Sequence, residues 1–315
     1  MFKLREALVE ACITLIIGGL IGATVGVVAN LFVIGVESLG AHREASSLFS
    51  VNLGGQMVSF SSLLFLWAAA AAVLFIKTSL NINQWAGPAD SIFAAQQQYQ
   101  PLNIKQGFAS TLGAFASAGG GASVGQYGPI VHFGATVGVW AKRFVSSRLS
   151  DDIYLGCGVA AAISAGFNAP IAGIIFAHEA VLRHFSMRAI APITIASISA
   201  STLGNYWFPN TASLNIAAVV PSLSEVVPTL VVLAPMFSLV AIVFMLTLRR
   251  ASSVASLLKL SPTKLLFLGA TICGLVGLWI PQILGLGISS INHMIAGEFS
   301  LWLLATVLIA KILMT

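Results

Sequence analysis

The sequence predicts an all-α integral membrane protein built partly from broken and re-entrant helices. Three observations carry this. Of the 315 residues, 57% are hydrophobic and 8% charged, where a soluble domain carries about 25% charged residues. The apolar residues gather in runs of unequal length, several shorter than the ~20 residues that a spanning helix needs. Glycine and proline interrupt the chain inside that apolar territory, and broken backbone survives in a membrane only where protein buries it or a polar cavity solvates it.

The runs, in order, are Leu8–Val36, Val58–Ile76, Gln106–Ser117, Pro129–Phe144, Ile153–Ala165, Pro170–Leu182, Ala189–Leu203, Val226–Leu248, Lys264–Ile280 and Ser300–Met314. The first is long enough to span at a steep tilt. Met1–Glu10 carries no small-residue cleavage site, so this run reads as a retained helix and not a signal peptide. Trp85–Gln98, opened by Gly87-Pro88, reads as a re-entrant element on the inside, and Ile153–Ala165 with Pro170–Leu182 as an out-and-back pair. Lys3, Arg5, Lys77, Lys105, Lys142, Arg143, Arg148, Arg183, Arg188, Arg249, Arg250, Lys259 and Lys264 then fall inside and Arg43 outside. Asn205–Pro221 and Gly285–Gly297, without Lys or Arg, become outside loops. The bias places the N-terminus in the cytoplasm. Residues 1–315 read as a single transmembrane domain.

Other classes are disfavoured. Cys12, Cys157 and Cys273 lie in apolar runs at unrelated spacings, as buried small hydrophobes do and as disulfides or metal ligands do not. No metal and no cofactor is expected. The net charge of +5 is dispersed, with no basic stripe to hold nucleic acid; the partner is the lipid bilayer. No carboxylate pair or nucleophile–base set suggests an enzyme.

Chemistry concentrates in Ala118-Gly119-Gly120-Gly121-Ala122-Ser123-Val124-Gly125-Gln126-Tyr127-Gly128-Pro129, followed by Ile130-Val131-His132. The glycines let several N–H groups converge, proline is expected at the first helical position, and the helix dipole adds partial positive charge, which together make an anion site without a fixed cation. The same glycines would equally permit close helix packing. Phe167-Asn168-Ala169-Pro170 reads as a helix restart, and Trp85-Ala86-Gly87-Pro88-Ala89-Asp90 repeats the pattern, with Gly and Pro ahead of a short helix.

These residues resemble the family of CLC chloride channels and proton-coupled exchangers. Gly125-Gln126-Tyr127-Gly128-Pro129 is similar to its Gly-Arg-Glu-Gly-Pro motif, and Phe167–Phe176 to its Phe-Asn-Ala-Pro-Leu-Ala-Gly-Ile-Leu-Phe segment. Pro281-Gln282-Ile283-Leu284-Gly285-Leu286-Gly287 resembles its Pro-Glu-x-x-Gly-x-Gly turn between later helices. The resemblance implies a homodimer in a bacterial-type plasma membrane, with one anion pathway per subunit and a CLC-type inverted repeat, residues 1–204 forming the first repeat and 221–315 a partial second one. It implies that the amides of Gln126, Tyr127, Gly128 and Ile130 line external and central anion sites, and those around Ala86 and Gly87 an inner one. The chain stops at Thr315, before the position of the family's Gly-x-Phe-x-Pro motif, so the second repeat is expected to be incomplete.

Departures from the family set the expected mechanism. The gating glutamate falls on Tyr127, a neutral phenol that cannot compete as an anion but can plug a pore or donate a hydrogen bond. Of the family's inner Glu-Glu pair, Glu179 matches the first and Ala180 the second, which in exchangers passes protons. Passive conduction of chloride or another small anion is therefore favoured over proton-coupled exchange, and a non-transporting structural or assembly subunit is a further alternative. Ala86 stands where the family has an anion-binding serine, Ser91 being the nearest hydroxyl. His132 is expected to be a satisfied histidine between helices, with pH sensing as the alternative. His178 and Glu179, beside Arg183, His184 and Arg188, are expected to form an ion-paired helix end, with a displaced proton path as the alternative.

Overall fold

The computed structural model describes residues 2–46, 50–53, 56–96, 102–144, 149–209 and 222–315. Arg148, Gln98 and most of the Asn205–Pro221 loop lie outside the described residues. The helices are α1 Phe2–Ala45, α2 Ser61–Ser79, α3 Pro88–Gln96, α4 Ile104–Gly119, α5 Tyr127–Lys142, α6 Asp151–Phe167, α7 Pro170–Phe176, α8 Met187–Trp207, α9 Leu223–Leu257, α10 Pro262–Trp279, α11 Ile288–Ile295 and α12 Leu301–Met314. Among the described residues four are long and apolar enough to cross a membrane: Cys12–Ala45 of α1, α2, Ser224–Leu257 of α9, and α10.

Every apolar run of the sequence is helical, with three differences. Helix α1 continues past Val36 to Ala45, because the polar stretch beyond the apolar run holds no proline and a helix can carry such residues out of the hydrocarbon. Val58 belongs not to a helix but to a short antiparallel ribbon, β1 Ser50–Leu53 with β2 Gln56–Ser59, in the register Ser50 to Ser59. Gly285–Gly297, taken above for a loop, contains α11; its Ile288-Ser289-Ser290-Ile291-Asn292-His293 core is too polar and short to stand out as an apolar run.

The helix starts follow side-chain capping. Asn103 Oδ1 accepts the Gln106 N–H at 3.2 Å to begin α4, and Ser222 forms a capping box with Glu225 to begin α9, each satisfying donors that a helix end leaves orphaned. Asp151 and Asp152 occupy the first turn of α6, where the dipole favours negative charge.

The chain divides into two compact units. The first holds residues 1–42, 71–120 and 125–213. Its packing is backbone against backbone. A Cβ on Gly158 would lie 1.8 Å from Gly134 O, and one on Gly138 2.1 Å from Tyr154 O, so α5 and α6 meet through glycine. Gly18, Gly22 and Gly26 of α1 form a second such stripe, against Pro192, Ala196 and Ala200 of α8. Small residues permit this closeness, and in lipid the dispersion contacts it brings replace the hydrophobic drive that water supplies.

The break between α6 and α7 lies in the same unit. Asn168 takes a left-handed conformation at φ 50° and Pro170 restarts the helix. Polar side chains brace the break: Ser197 Oγ donates to the backbone Pro170 O at 2.8 Å, while Ser201 Oγ and Asn205 Nδ2 donate to the side-chain Asn168 Oδ1, each at 2.9 Å.

The second unit holds residues 43–70, 121–124 and 214–315. Leu66, Cys273, Ile283, Leu284 and Ala310 form its apolar centre, and Trp67 Nε1 donates to Thr271 Oγ1 at 3.0 Å. The Pro281–Gly287 segment is a 3₁₀ turn, Pro281–Ile283, followed by Gly285 and Gly287 at φ 67° and 78°, backbone that glycine adopts without strain.

Candidate functional site

Helix α5 begins at Tyr127, not Pro129. Gln126 is already in helical conformation, at φ −90° and ψ −29°, and proline fits anywhere in the first turn because no N–H there has an intrahelical partner. The first intrahelical bond runs from Ile130 N–H to Gln126 O at 3.3 Å. The Ile130 amide is thus engaged, whereas those of Gln126, Tyr127 and Gly128 precede that bond and the helix offers them no carbonyl. Gly125 is exposed, with open space where a Cβ would stand. Gln126 is buried and its Oε1 has no hydrogen-bond partner.

The Tyr127 ring closes over the end of α6. It stacks on Phe167 with centroids 3.9 Å apart and planes inclined by 27°, and a Cβ on Gly166 would lie 2.8 Å from its Cδ1. The two motifs singled out in the sequence are therefore in contact, through an aromatic pair and with no carboxylate.

At the start of α3 the expected inner site is already filled by the protein's own groups. The Ala86 N–H donates to Ser110 Oγ at 2.8 Å. The Gly87 N–H donates to Asp90 Oδ2 at 2.7 Å. Asp90 is the third residue of α3 and its carboxylate folds back on the residue before the helix, the reciprocal half of a capping box. Neither amide is open, and the helix start holds a tethered anion. Asp90 closes the stretch singled out in the sequence but had no capping role there, although the spacing from Gly87 to an acid three positions on carries that signal. The starts of α3 and α5 approach each other: a Cβ on Gly128 would lie 3.3 Å from Pro88 Cγ.

Ser91 is fully buried, and its Oγ lies 2.7 Å from His132 Nδ1. His132 is 1% exposed, yet its Nε2 has no partner, so it is only half satisfied. It lines a cavity of about 170 Å³ together with Ala86, Asp90, Asn103 and Gln106. That cavity, bounded by a carboxylate and a half-bonded imidazole, is roomy enough for water.

His178 and Glu179 part company. Residues Ala177–Leu182 continue α7 as a π-helical segment closed by Arg183 at φ 58°. His178 turns inward, buried, with Nδ1 3.2 Å from His184 O and its ring stacked on Phe185; Glu179 is exposed. Among the described residues no ion pair joins Glu179 to Arg183 or Arg188. The contact found nearby is a hydrogen bond between His184 Nε2 and Asp152 Oδ2, at 3.3 Å.

Comparison with known proteins adds the following. A family model described as voltage gated chloride channel matches residues 68–315. The chain is 24% identical to a putative chloride channel protein ClcB-like of Ralstonia nicotianae, over 67% of this chain and 50% of that protein. It is also 24% identical to the H(+)/Cl(-) exchange transporter ClcA of Yersinia pseudotuberculosis, over 96% of this chain and 65% of that one. The chain therefore spans between half and about two thirds of the length of these relatives. A CLC-type fluoride/proton antiporter of solved structure shares the fold, with a TM-score of 0.74 at 20% identity over 96% of this chain and 75% of the other.

Proposed function

Because this chain belongs to the voltage gated chloride channel family, we propose that it serves passive passage of a small inorganic anion, chloride being the ion named for its curated relatives. The observation that carries this reading is the start of α5. The amides of Gln126, Tyr127 and Gly128 point partial positive charge at the end of an apolar helix, where an anion binds firmly enough to shed water and loosely enough to leave. The residue there is Tyr127, packed on Phe167, and a neutral ring can narrow a path but cannot exchange places with an anion by ionising. Ala180, within the π-helical segment, offers no proton acceptor where exchangers of the family carry one. Assembly as a homodimer, with the N-terminus cytoplasmic, is part of the same proposal.

The test is chloride efflux from liposomes holding the purified protein. Efflux under a chloride gradient that neither drives proton movement nor responds to a proton gradient is expected; stoichiometric proton counterflow would reject the uncoupled reading.

One observation favours proton-coupled exchange as the second reading. His132, whose Nε2 has no hydrogen-bond partner, lines the same cavity as Asp90, and chains of ionisable groups are what membrane proton relays use. In that case Asp90→Asn should abolish proton movement while chloride still flows.

A further inference from the structure

Helix α4 carries one face that its neighbours leave partly bare. Lys105, Phe108, Leu112 and Phe115 recur at intervals of three and four residues, so they stand in one stripe along the helix. Phe115 meets Phe32 of α1 edge to face, with centroids 5.4 Å apart, and Phe108 meets Phe133 of α5 in the same manner at 5.6 Å. Around these contacts α1, α4 and α5 line a crevice of about 370 Å³, with Val28, Leu31 and Leu112 on its walls besides the phenyl rings. Leu31 and Leu112 are each 52% exposed, so the crevice is open along their side. The hydroxyl in its lining, Thr111 Oγ1, already donates to Gly107 O at 3.0 Å. What the walls offer an occupant is apolar contact.

One end of the crevice carries the marks of a membrane interface. Phe108 reaches Trp140 of α5 at 6.4 Å, and Trp140 meets Phe144 at 5.2 Å. Trp140 is 42% exposed and Phe144 73%, and tryptophan with one side bare is typical of the headgroup level. Helix α5 returns alongside α4, since a Cβ on Gly107 would meet Thr136 Oγ1. Lys105, one turn before Phe108, and Arg143, one turn after Trp140, therefore stand at that same end. Both side chains are exposed. Among the described residues no acid pairs with either, and the adjoining residues 97–101 and 145–148 contain no Asp or Glu.

We infer that this face holds one anionic phospholipid, with an acyl chain in the crevice between α1, α4 and α5 and the phosphate at Lys105 and Arg143. Crevice, aromatic ring and cations follow one another along the helices as acyl chain, interface and headgroup do along a lipid. A straight hydrocarbon chain supplies the dispersion contacts that an empty crevice forfeits. The two cations favour a headgroup of net negative charge over a zwitterionic one, because each basic side chain at the surface attracts anionic lipid. Nothing in this assignment depends on which ion the protein passes or on whether protons move with it.

Native mass spectrometry of the full chain in detergent, titrated with phosphatidylglycerol or with phosphatidylcholine, tests it. Retention of one phosphatidylglycerol under activation that strips phosphatidylcholine is expected. The double variant Lys105→Gln with Arg143→Gln, both at exposed positions, should weaken phosphatidylglycerol binding at least about fivefold. Leu112→Trp fills the crevice from an exposed position and should displace the lipid, and Leu31→Trp serves where that variant does not fold. Equal retention of the two lipids, or a double variant that holds phosphatidylglycerol as the wild type does, would overturn the site. Loss in the charge variant with full retention in both tryptophan variants would reduce it to attraction at the surface and remove the acyl chain from the crevice. A chain that binds neither lipid but forms a dimer that Leu112→Trp breaks would overturn it in favour of a second copy on this face.

Discussion

Ser91 Oγ and His132 Nδ1 lie 2.7 Å apart with both side chains buried, which pins the start of α3 to α5. Ser91→Ala would leave the imidazole with neither nitrogen bonded. The expected loss is about 1–3 kcal/mol of stability, the desolvation penalty of an orphaned buried group. It is read as a lower melting temperature in detergent; an unchanged one would mean that His132 turns to another partner.

Tyr127 should limit conduction through its bulk. Tyr127→Ala is expected to raise chloride efflux several-fold, and Tyr127→Phe, which keeps the ring on Phe167, to leave it near wild type. Equal rates in all three proteins would remove Tyr127 from the path.

Tyr127→Glu restores a carboxylate at that place and should introduce pH dependence. The ionised form occupies the amides of α5 and blocks, and the protonated form releases them. Efflux should therefore stay low at neutral pH and climb as pH falls through about 4–5, the ordinary carboxyl range, while wild-type efflux measured alongside shows no such rise.

Asp90 is expected to restrain the inner end. Asp90→Ala removes a negative charge and frees the Gly87 amide, so anion affinity or conductance should rise while stability falls by about 0.5–2 kcal/mol, as for other lost caps. Reduced conductance with unchanged stability would show that the carboxylate assists permeation.

Gly158→Ala should be poorly tolerated, since the added Cβ would lie 1.8 Å from Gly134 O and neither backbone can yield cheaply. A cost of about 3 kcal/mol or more follows, seen as loss of monodisperse protein on gel filtration. A variant that purifies like wild type would show that α5 and α6 can slide apart.

What could be read in the sequence was whatever depends on local chemistry. Apolar runs mark helices because hydrocarbon rewards them residue by residue, and Asn168-Ala169-Pro170 marks a break because proline cannot continue the preceding helix. Register was harder. Pro129 fits any position of a first turn, so its presence did not reveal that α5 begins at Tyr127. Contacts between distant segments were beyond reach: the stack of Tyr127 on Phe167 and the bond from Ser91 to His132 depend on how α3, α5 and α6 cross. The capping role of Asp90 is a local signal, carried by its spacing from Gly87, but the same spacing also suits an acid that simply faces solvent at a helix start.

The stripe of Gly18, Gly22 and Gly26 against Pro192, Ala196 and Ala200 has a consequence for biogenesis. Helix α1 leaves the ribosome first, yet the surface it is shaped for does not exist until α8 has been made, about 10–30 s later at ordinary rates of synthesis. During that interval its glycine face meets only lipid or whatever holds nascent helices at the insertion site. A bulky residue at Gly22 should therefore act late, leaving insertion of α1 intact and blocking the step at which α8 docks.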